Sequence, residues 1–134
     1  MNHEWYKEGT LVTIGTVPAS EARRITDNVI TEDIPVNINR QVLEHDHIII
    51  CGPVFPHESG GFSGGNKYLF PGIAGFDTIS TFHWLSAMLT VMGIIGIEDT
   101  AVRRLIDKYA TYVQTPVTCV SFVVISSASA SRKA

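Results

Sequence analysis

The sequence lacks a basic run, a signal-like start and an apolar stretch long enough to cross a bilayer. Lys and Arg number 10 against 13 Asp and Glu, for a formal charge of −3. Nucleic-acid binding therefore has no electrostatic footprint. The opening residues MNHEWYKEGT contain no apolar core of a signal peptide. The longest uncharged apolar run, Trp84 to Ile97, falls short of the roughly 20 residues a spanning helix needs. It is also broken by Ser86, Thr90, Gly93 and Gly96, so no membrane partner is expected. Cysteine is scarce: Cys51 and Cys119 stand alone, each in an apolar strand-like run. They read as two reduced, buried core thiols of a cytoplasmic protein. Internal repeats and low-complexity linkers are absent.

What remains is one domain. The 134 residues, 45% hydrophobic and 17% charged, are enough for a single core and too few for two. Leu11 to Val17 is rich in β-branched residues and ends at Pro18, so it reads as a strand. Ser20 is the candidate N-cap of a short helix through Arg24. Arg23 and Arg24 are an anion contact or, more simply, a solvated face. Thr31 to Asn39 is a loop leading into an extended segment, because Pro35 pushes Ile34 out of the helical region. Arg40 to Glu44 reads as a helical turn. His47 to Cys51 (HIIIC) is a continuous apolar run closed by Gly52-Pro53, the pattern of a strand buried on both faces of a parallel sheet. Asp77 is the candidate cap of a helix that carries Ile79, Phe82, His83, Ser86, Ala87 and Met88 at helical spacings. Gly93 and Gly96 end that segment. Asp99 or Thr100 opens a second helix whose apolar face is Ala101, Val102, Leu105, Ile106, Tyr109, Ala110 and Val113. Pro116 precedes another apolar strand, Val117 to Ile125. The order predicts an α/β layered domain over residues 1–125, with a mostly parallel sheet flanked by helices. Residues 126–134 (SSASASRKA) read as a flexible tail.

The chemistry concentrates in Pro56 to His83. Gly60, Gly61, Gly64 and Gly65 crowd into six positions, Lys67 follows, and His57 and His83 bracket the loop. Glycine at this density suits a backbone that passes close to a ligand or turns its amides toward an anion. The loop follows the HIIIC strand directly, and ligands in open α/β sheets bind at the carboxyl ends of strands. A phosphate-binding P-loop does not fit: Asn66 separates Gly65 from Lys67, and Tyr68 stands where a magnesium-binding hydroxyl belongs. The dinucleotide pattern GxGxxG is absent. Lys67 is then a cation for a phosphate or an amine nucleophile. His57, between a strand end and a flexible loop, suits a general acid or base. Taken singly, His57 is a loop imidazole, His83 a core histidine and Lys67 a surface lysine. Grouped around one glycine loop they form a candidate site. His45 and His47 have strand-like spacing but no nearby third ligand, and read as strand-edge residues.

The stretch resembles the nickel-pincer-dependent lactate racemase family. The resemblance rests on His57, the block Gly61-Phe62-Ser63-Gly64-Gly65, Lys67, Pro71-Gly72 and His83. Lys67 lies ten positions after His57, and His83 sixteen after Lys67. The resemblance implies that Lys67 carries a nickel-pincer nucleotide, bound as a thioamide, and that His83 completes the coordination of nickel. It implies that His57 is one of two acid/base residues. His57 would take the hydroxyl proton of a 2-hydroxy acid while the C2 hydride moves to the pincer ring. Return of the hydride to either face gives racemisation or epimerisation. The cofactor does the hydride chemistry and the protein moves protons; neutral imidazole is a suitable nickel ligand. Gly64 and Gly65 would let the backbone approach the cofactor. Phe62 packs on its pyridinium ring or anchors the loop.

The family's upstream Asp-His-Thr-Arg-Pro segment, with its second acid/base histidine, has no counterpart here, and His3 lacks that context. The second α/β domain that closes over the cofactor is not in the sequence either. The resemblance covers roughly Leu11 to Ile125, so the chain reads as a fragment or as a short, diverged homologue. Three expectations stand together. One is a racemase or epimerase domain acting on a small 2-hydroxy acid. Another is a non-catalytic module binding a nucleotide or anion. The third is a half-domain that needs a partner domain or self-association, whose sign would be an exposed apolar face.

Overall fold

The computed structural model describes residues 3–123. The end of the last expected strand and the tail at 126–134 lie outside the described residues. The fold is mixed α/β. In chain order it runs β1 (Leu11–Val17), α1 (Ala19–Ile25), β2 (Ile34–Asn39), β3 (Ile48–Val54), β4 (Pro56–His57), β5 (Gly61–Phe62), α2 (Phe76–Leu89), α3 (Ala101–Ala110) and β6 (Val117–Val123). Short 3-10 turns cover Arg40–Glu44, Gly65–Tyr68 and Val91–Gly93.

The strands pair in twos. β3 and β6 are parallel, in register from Ile48↔Val117 to Val54↔Val123. β1 and β2 are antiparallel with a bulge between Thr13 and Gly15, and β4 and β5 form a small antiparallel ladder. The expected parallel pairing is thus present in β3–β6, and the other two pairs among the described residues are antiparallel and form separate two-stranded sheets. β2 alternates as a half-buried strand should: Ile34, Val36 and Ile38 face inward. They meet α2, which in turn packs on α3. Phe82 and Leu85 from α2 and Val102, Leu105, Ile106 and Tyr109 from α3 close the core. The Phe70 ring fills the space beside Tyr109, with centroids 5.4 Å apart.

Helix starts differ from the local sequence signals. At α1 the acceptor for the Ala19 N–H is the Asp33 carboxylate, 2.7 Å away and folded back from the loop. Ser20 therefore sits inside the helix and is not its cap. At α2 the N-cap position is Gly75, without a side-chain cap, and Asp77 lies in the first turn, where its charge complements the helix dipole. Thr100 does cap α3, its Oγ1 accepting from the Arg103 N–H at 3.1 Å. Arg24 pairs with Glu21 and Arg23 donates to the Thr31 carbonyl, so neither reaches for an anion.

The two apolar runs read as fully buried strands are not. β3 buries Ile50 (6% exposed) but leaves Ile49 72% exposed, and every residue of β6 is exposed. Only one face of β3 is covered by the described residues, and neither face of β6 is. Cys51 and Cys119 follow: both are exposed and free, not core thiols. Trp84, Met88, Val91, Met92, Ile95 and Ile97 are further exposed apolar residues. Apolar side chains of β3, β6 and the segment from Trp84 to Ile97 thus stand open among the described residues.

Inside the core the Tyr109 hydroxyl has no hydrogen-bond partner among the described residues, and burial pushes its pKa up. An unsatisfied buried hydroxyl costs stability that a ring without it does not. Tyr109→Phe is expected to leave stability unchanged or raise it by about 1 kcal/mol, read from the denaturant midpoint at constant m-value. A loss of about 2 kcal/mol or more would show that the hydroxyl is bonded after all.

Candidate functional site

The site is a tight hairpin and the turn after it. Pro56 pairs with Phe62 and His57 with Gly61, so the chain reverses over Glu58, Ser59 and Gly60. Gly61 has φ +76°, and a Cβ there would overlap the Ile97 carbonyl oxygen. That position accepts only glycine, for both conformation and space. A chain so poor in side chains cannot fix itself, and its anchors come from elsewhere. Ser63 ties it to the end of β3. Its Oγ accepts from the Phe55 N–H at 3.0 Å and donates to the Pro53 carbonyl at 2.9 Å. Ser86 on α2 donates to the Ser59 carbonyl at 2.8 Å. Arg103 on α3 donates through one nitrogen to the carbonyls of Gly60 and Phe62. Asn66 donates to Asp107 of the same helix at 2.9 Å.

These anchors bring His57 and Lys67 together. The Lys67 Nζ lies 3.0 Å from His57 Nε2. His57 Nδ1 accepts from the Ser59 N–H at 3.1 Å. The aliphatic stem of Lys67 runs past Gly60, where a Cβ would stand 3.2 Å from its Cε. The ammonium end faces the Phe82 ring, 5.7 Å from its centroid. His83 touches the same ring edge-on, with centroids 5.0 Å apart. Phe82 is thus the shared wall between the lysine and the second histidine. The His83 imidazole is exposed. Its Nδ1 donates to the Ile79 carbonyl at 2.8 Å, and Nε2 has no partner among the described residues.

His57, Gly64 and Lys67 line one cleft of about 290 Å³, with Phe55, Ser63, Tyr68 and Gly72. Phe62 and Gly65 line a neighbouring cleft with Arg103 and Asp107, and Gly64 borders both. The two expected backbone-approach glycines differ. A Cβ on Gly64, at φ +83°, would meet the Val54 side chain, whereas Gly65 faces open space. Gly64 is needed for packing against β3; Gly65 is the one open to a ligand. His47 donates to or accepts from Thr118 Oγ1, and among the described residues no three His, Cys, Asp or Glu side chains group as a metal site.

Charge at the site favours neutral nitrogen. Burial first, then Lys67, Arg103 and His83, hold the His57 pKa below its ordinary value, with Glu58 opposing. Burial and then Arg103 hold Lys67 below the usual ammonium range, again against Glu58. Glu58 Oε2 stands 3.5 Å from His57 Nδ1; with His57 neutral this is no ion pair, and Nδ1 takes the Ser59 N–H instead. The folded pKa of His57 lies below the unfolded one, so the unfolded chain binds more protons between them. Stability is therefore lost as pH falls through that window.

Sequence reasoning missed Arg103, Ser86 and Phe82. Arg103 stands 36 positions after Lys67 in an ordinary amphipathic helix, and nothing local marks it. Phe82 had a signal, an aromatic directly before His83. The His57–Lys67 contact is tested by Lys67→Met, which removes the cation and keeps the stem. The His57 pKa is expected to rise toward its ordinary value, read from imidazole proton shifts against pH. An unchanged titration would mean the two side chains are apart in solution.

The comparisons with known proteins point one way. The family model described as the lactate racemase N-terminal domain matches residues 1–92, a span that includes His57, Lys67 and His83. A Thermotoga maritima protein of known crystal structure is 33% identical, with TM-score 0.79 over 92% of this chain and 30% of that one. The lactate racemase apoprotein from Thermoanaerobacterium thermosaccharolyticum is 23% identical, with TM-score 0.67 over 90% of this chain and 26% of that one. The chain therefore spans less than a third of the length of either. No curated protein matches it. On the strength of the family match, which covers more than half of the sequence and the glycine-rich loop with His57, Lys67 and His83, the chain belongs to the lactate racemase N-terminal domain family.

Proposed function

We propose that this chain is the cofactor-bearing part of a racemase or epimerase of small 2-hydroxy acids. The observation that carries the reading is a half-buried lysine that meets one histidine, His57, directly and shares the Phe82 ring with a second, His83. The residues fit a lysine-tethered nickel-pincer nucleotide. Lys67 offers an amine whose charge is disfavoured. His83 offers one lone pair, with its ring fixed through Nδ1, the usual way a protein orients a metal-binding imidazole. The described residues bring no further ligands to His83, so the remaining donors would have to come from the nucleotide itself. Gly65 leaves open space beside the turn, and Phe62 lines the cleft there. When bound, the nickel-pincer nucleotide would supply reversible two-electron chemistry at C2 of the hydroxy acid.

The chain's own residues do the rest. His57, held neutral by burial and the nearby cations, is able to accept the substrate hydroxyl proton. The Glu58 carboxylate beside Nδ1 would balance the charge it gains. Arg103, Ser86 and Ser63 keep the hairpin still, so that the proton acceptor stays in place relative to the tether. The cytoplasm is the setting we assign, supported by two exposed free thiols; no helix among the described residues is long and apolar enough to cross a membrane.

Intact mass spectrometry of the chain made together with cofactor-synthesising enzymes tests this. The expected result is a nucleotide-sized adduct on Lys67, absent in Lys67→Ala, with nickel retained by the wild type and lost in His83→Ala. Reversible nucleotide binding without an adduct would instead establish a non-catalytic module. A second observation favours a partner: the open faces of β3 and β6 and the apolar residues between Trp84 and Ile97. We propose that a partner domain or a second copy covers them. Sedimentation velocity of the isolated chain is expected to show concentration-dependent association, and a monomer at all concentrations would argue against a second copy.

A further inference from the structure

The chain leaves α2 in a conformation its residue does not suit. Thr90, at the C-terminus of that helix, has φ +64° and ψ 155°. For a β-branched side chain this is an outlier, and outliers persist only where the surroundings over-determine them. The surroundings here are two anchors further on. Ile94 is fully buried, and the Gly96 N–H donates to the Gly61 carbonyl at 2.9 Å. The Ile97 carbonyl oxygen lies against Gly61, where it leaves no room for a Cβ. Residues 90–97 thus form a strap from the end of α2 to the edge of the hairpin. The other large side chains of the strap, Val91, Met92, Ile95 and Ile97, are exposed, so burial adds little to its hold.

The strap meets the hairpin opposite His57, since Gly61 is the ladder partner of His57. The carbonyls from Ser59 to Phe62 are each held from outside. Ser86 of α2 holds that of Ser59, and Arg103 of α3 holds those of Gly60 and Phe62. The Gly61 carbonyl depends on the strap instead.

We propose that residues 90–97 act as a two-state gate on the hairpin. In the closed state, the one the structure shows, the strap fixes Gly61 and with it the approach of His57 to Lys67. In the open state Thr90 relaxes to negative φ, the Gly96–Gly61 bond breaks, and the His57–Gly61 end of the ladder frays. Strain at Thr90 raises the closed state toward the open one, so a contact made in one state alone shifts the balance. The inference deepens the reading above by naming a regulation of the same site, and rests on that reading for its consequence in catalysis. The gate itself belongs to the chain without cofactor.

The experiment uses the full chain without nucleotide or nickel. Amide hydrogen exchange, resolved residue by residue with NMR, is followed in low denaturant, together with the His57 imidazole proton shifts against pH. The Gly96 amide is expected to exchange through local opening, with a weaker denaturant dependence than the core amide of Leu105. Thr90→Gly removes the strain from the closed state. It should slow Gly96 exchange by about three-fold or more, the strain relieved less the freedom glycine gives the open strap. Thr90→Pro cannot reach φ +64° and should do the reverse. Gly96 exchange then rises by about ten-fold or more. The His57 pKa, held down in the closed state by burial and then by Lys67, moves up toward its ordinary value, while Leu105 stays protected. Opposite effects at one residue separate a gate from a general loosening of the loop. If Thr90→Pro does not fold, Thr90→Gly alone decides. Equal denaturant dependence at Gly96 and Leu105 would overturn the inference. So would unchanged Gly96 exchange in Thr90→Gly, or an unchanged His57 titration in a folded Thr90→Pro. Failure here leaves the adduct measurement standing, and failure of that measurement leaves this one.

Discussion

A hairpin with almost no side chains must be held by someone else's. Between His57 and Lys67 the chain holds four glycines, and its own ladder is only two residue pairs long. The guanidinium of Arg103 supplies what is missing. It reaches from the first turn of α3 to two carbonyls of the turn, and its own backbone N–H is caught by the Thr100 cap. Charge-assisted bonds of this kind are roughly twice as strong as neutral ones. They are directed at backbone, so the sequence of the turn is free to be glycine. Everything chemical in the site, the 3.0 Å approach of Lys67 to His57 included, depends on that clamp and on its counterparts at Ser86 and Ser63.

The same arginine also shapes the electrostatics. It is a cation beside a lysine and a histidine, in a place where burial already disfavours charge. Both neighbours answer by favouring their neutral forms. Glu58, the single carboxylate at the turn, is exposed and works against this. A positioning contact and a charge effect thus come from one residue. Perturbed amines and imidazoles of this kind gather where chemistry is done.

The second half of the site rests on α2. Phe82 is buried and belongs to the core; the next residue, His83, is exposed. One step along a helix turns the side chain by about 100°, enough to place a buried wall and an exposed imidazole side by side. The Ile79 carbonyl then fixes which ring nitrogen of His83 is free. A core contact, a cation–ring contact to Lys67 and an exposed imidazole are in this way built from two consecutive residues.

Several features were legible in the residues alone. β1, β2 and α3 follow from β-branched runs, alternation and an apolar stripe, each a local pattern that burial on one side enforces. The glycine loop, His57, Lys67 and His83 were legible because motif spacing is a property of the chain. Apolar runs misled at β3 and β6: a run of Ile and Val fits a strand covered on both faces and one that awaits a cover equally well. Helix caps at Ser20 and Asp77 misled because a distant Asp33 supplied one acceptor and Gly75 began the other helix early. By itself, then, the sequence determined which elements form and which chemical groups the site owns, since those depend on neighbours within a few residues. Only the tertiary structure decided that Arg103 grips the loop, that Phe82 stands between Lys67 and His83, and that Nδ1 of His57 is the accepting nitrogen. Those facts are distances between elements far apart along the chain, and packing alone sets them.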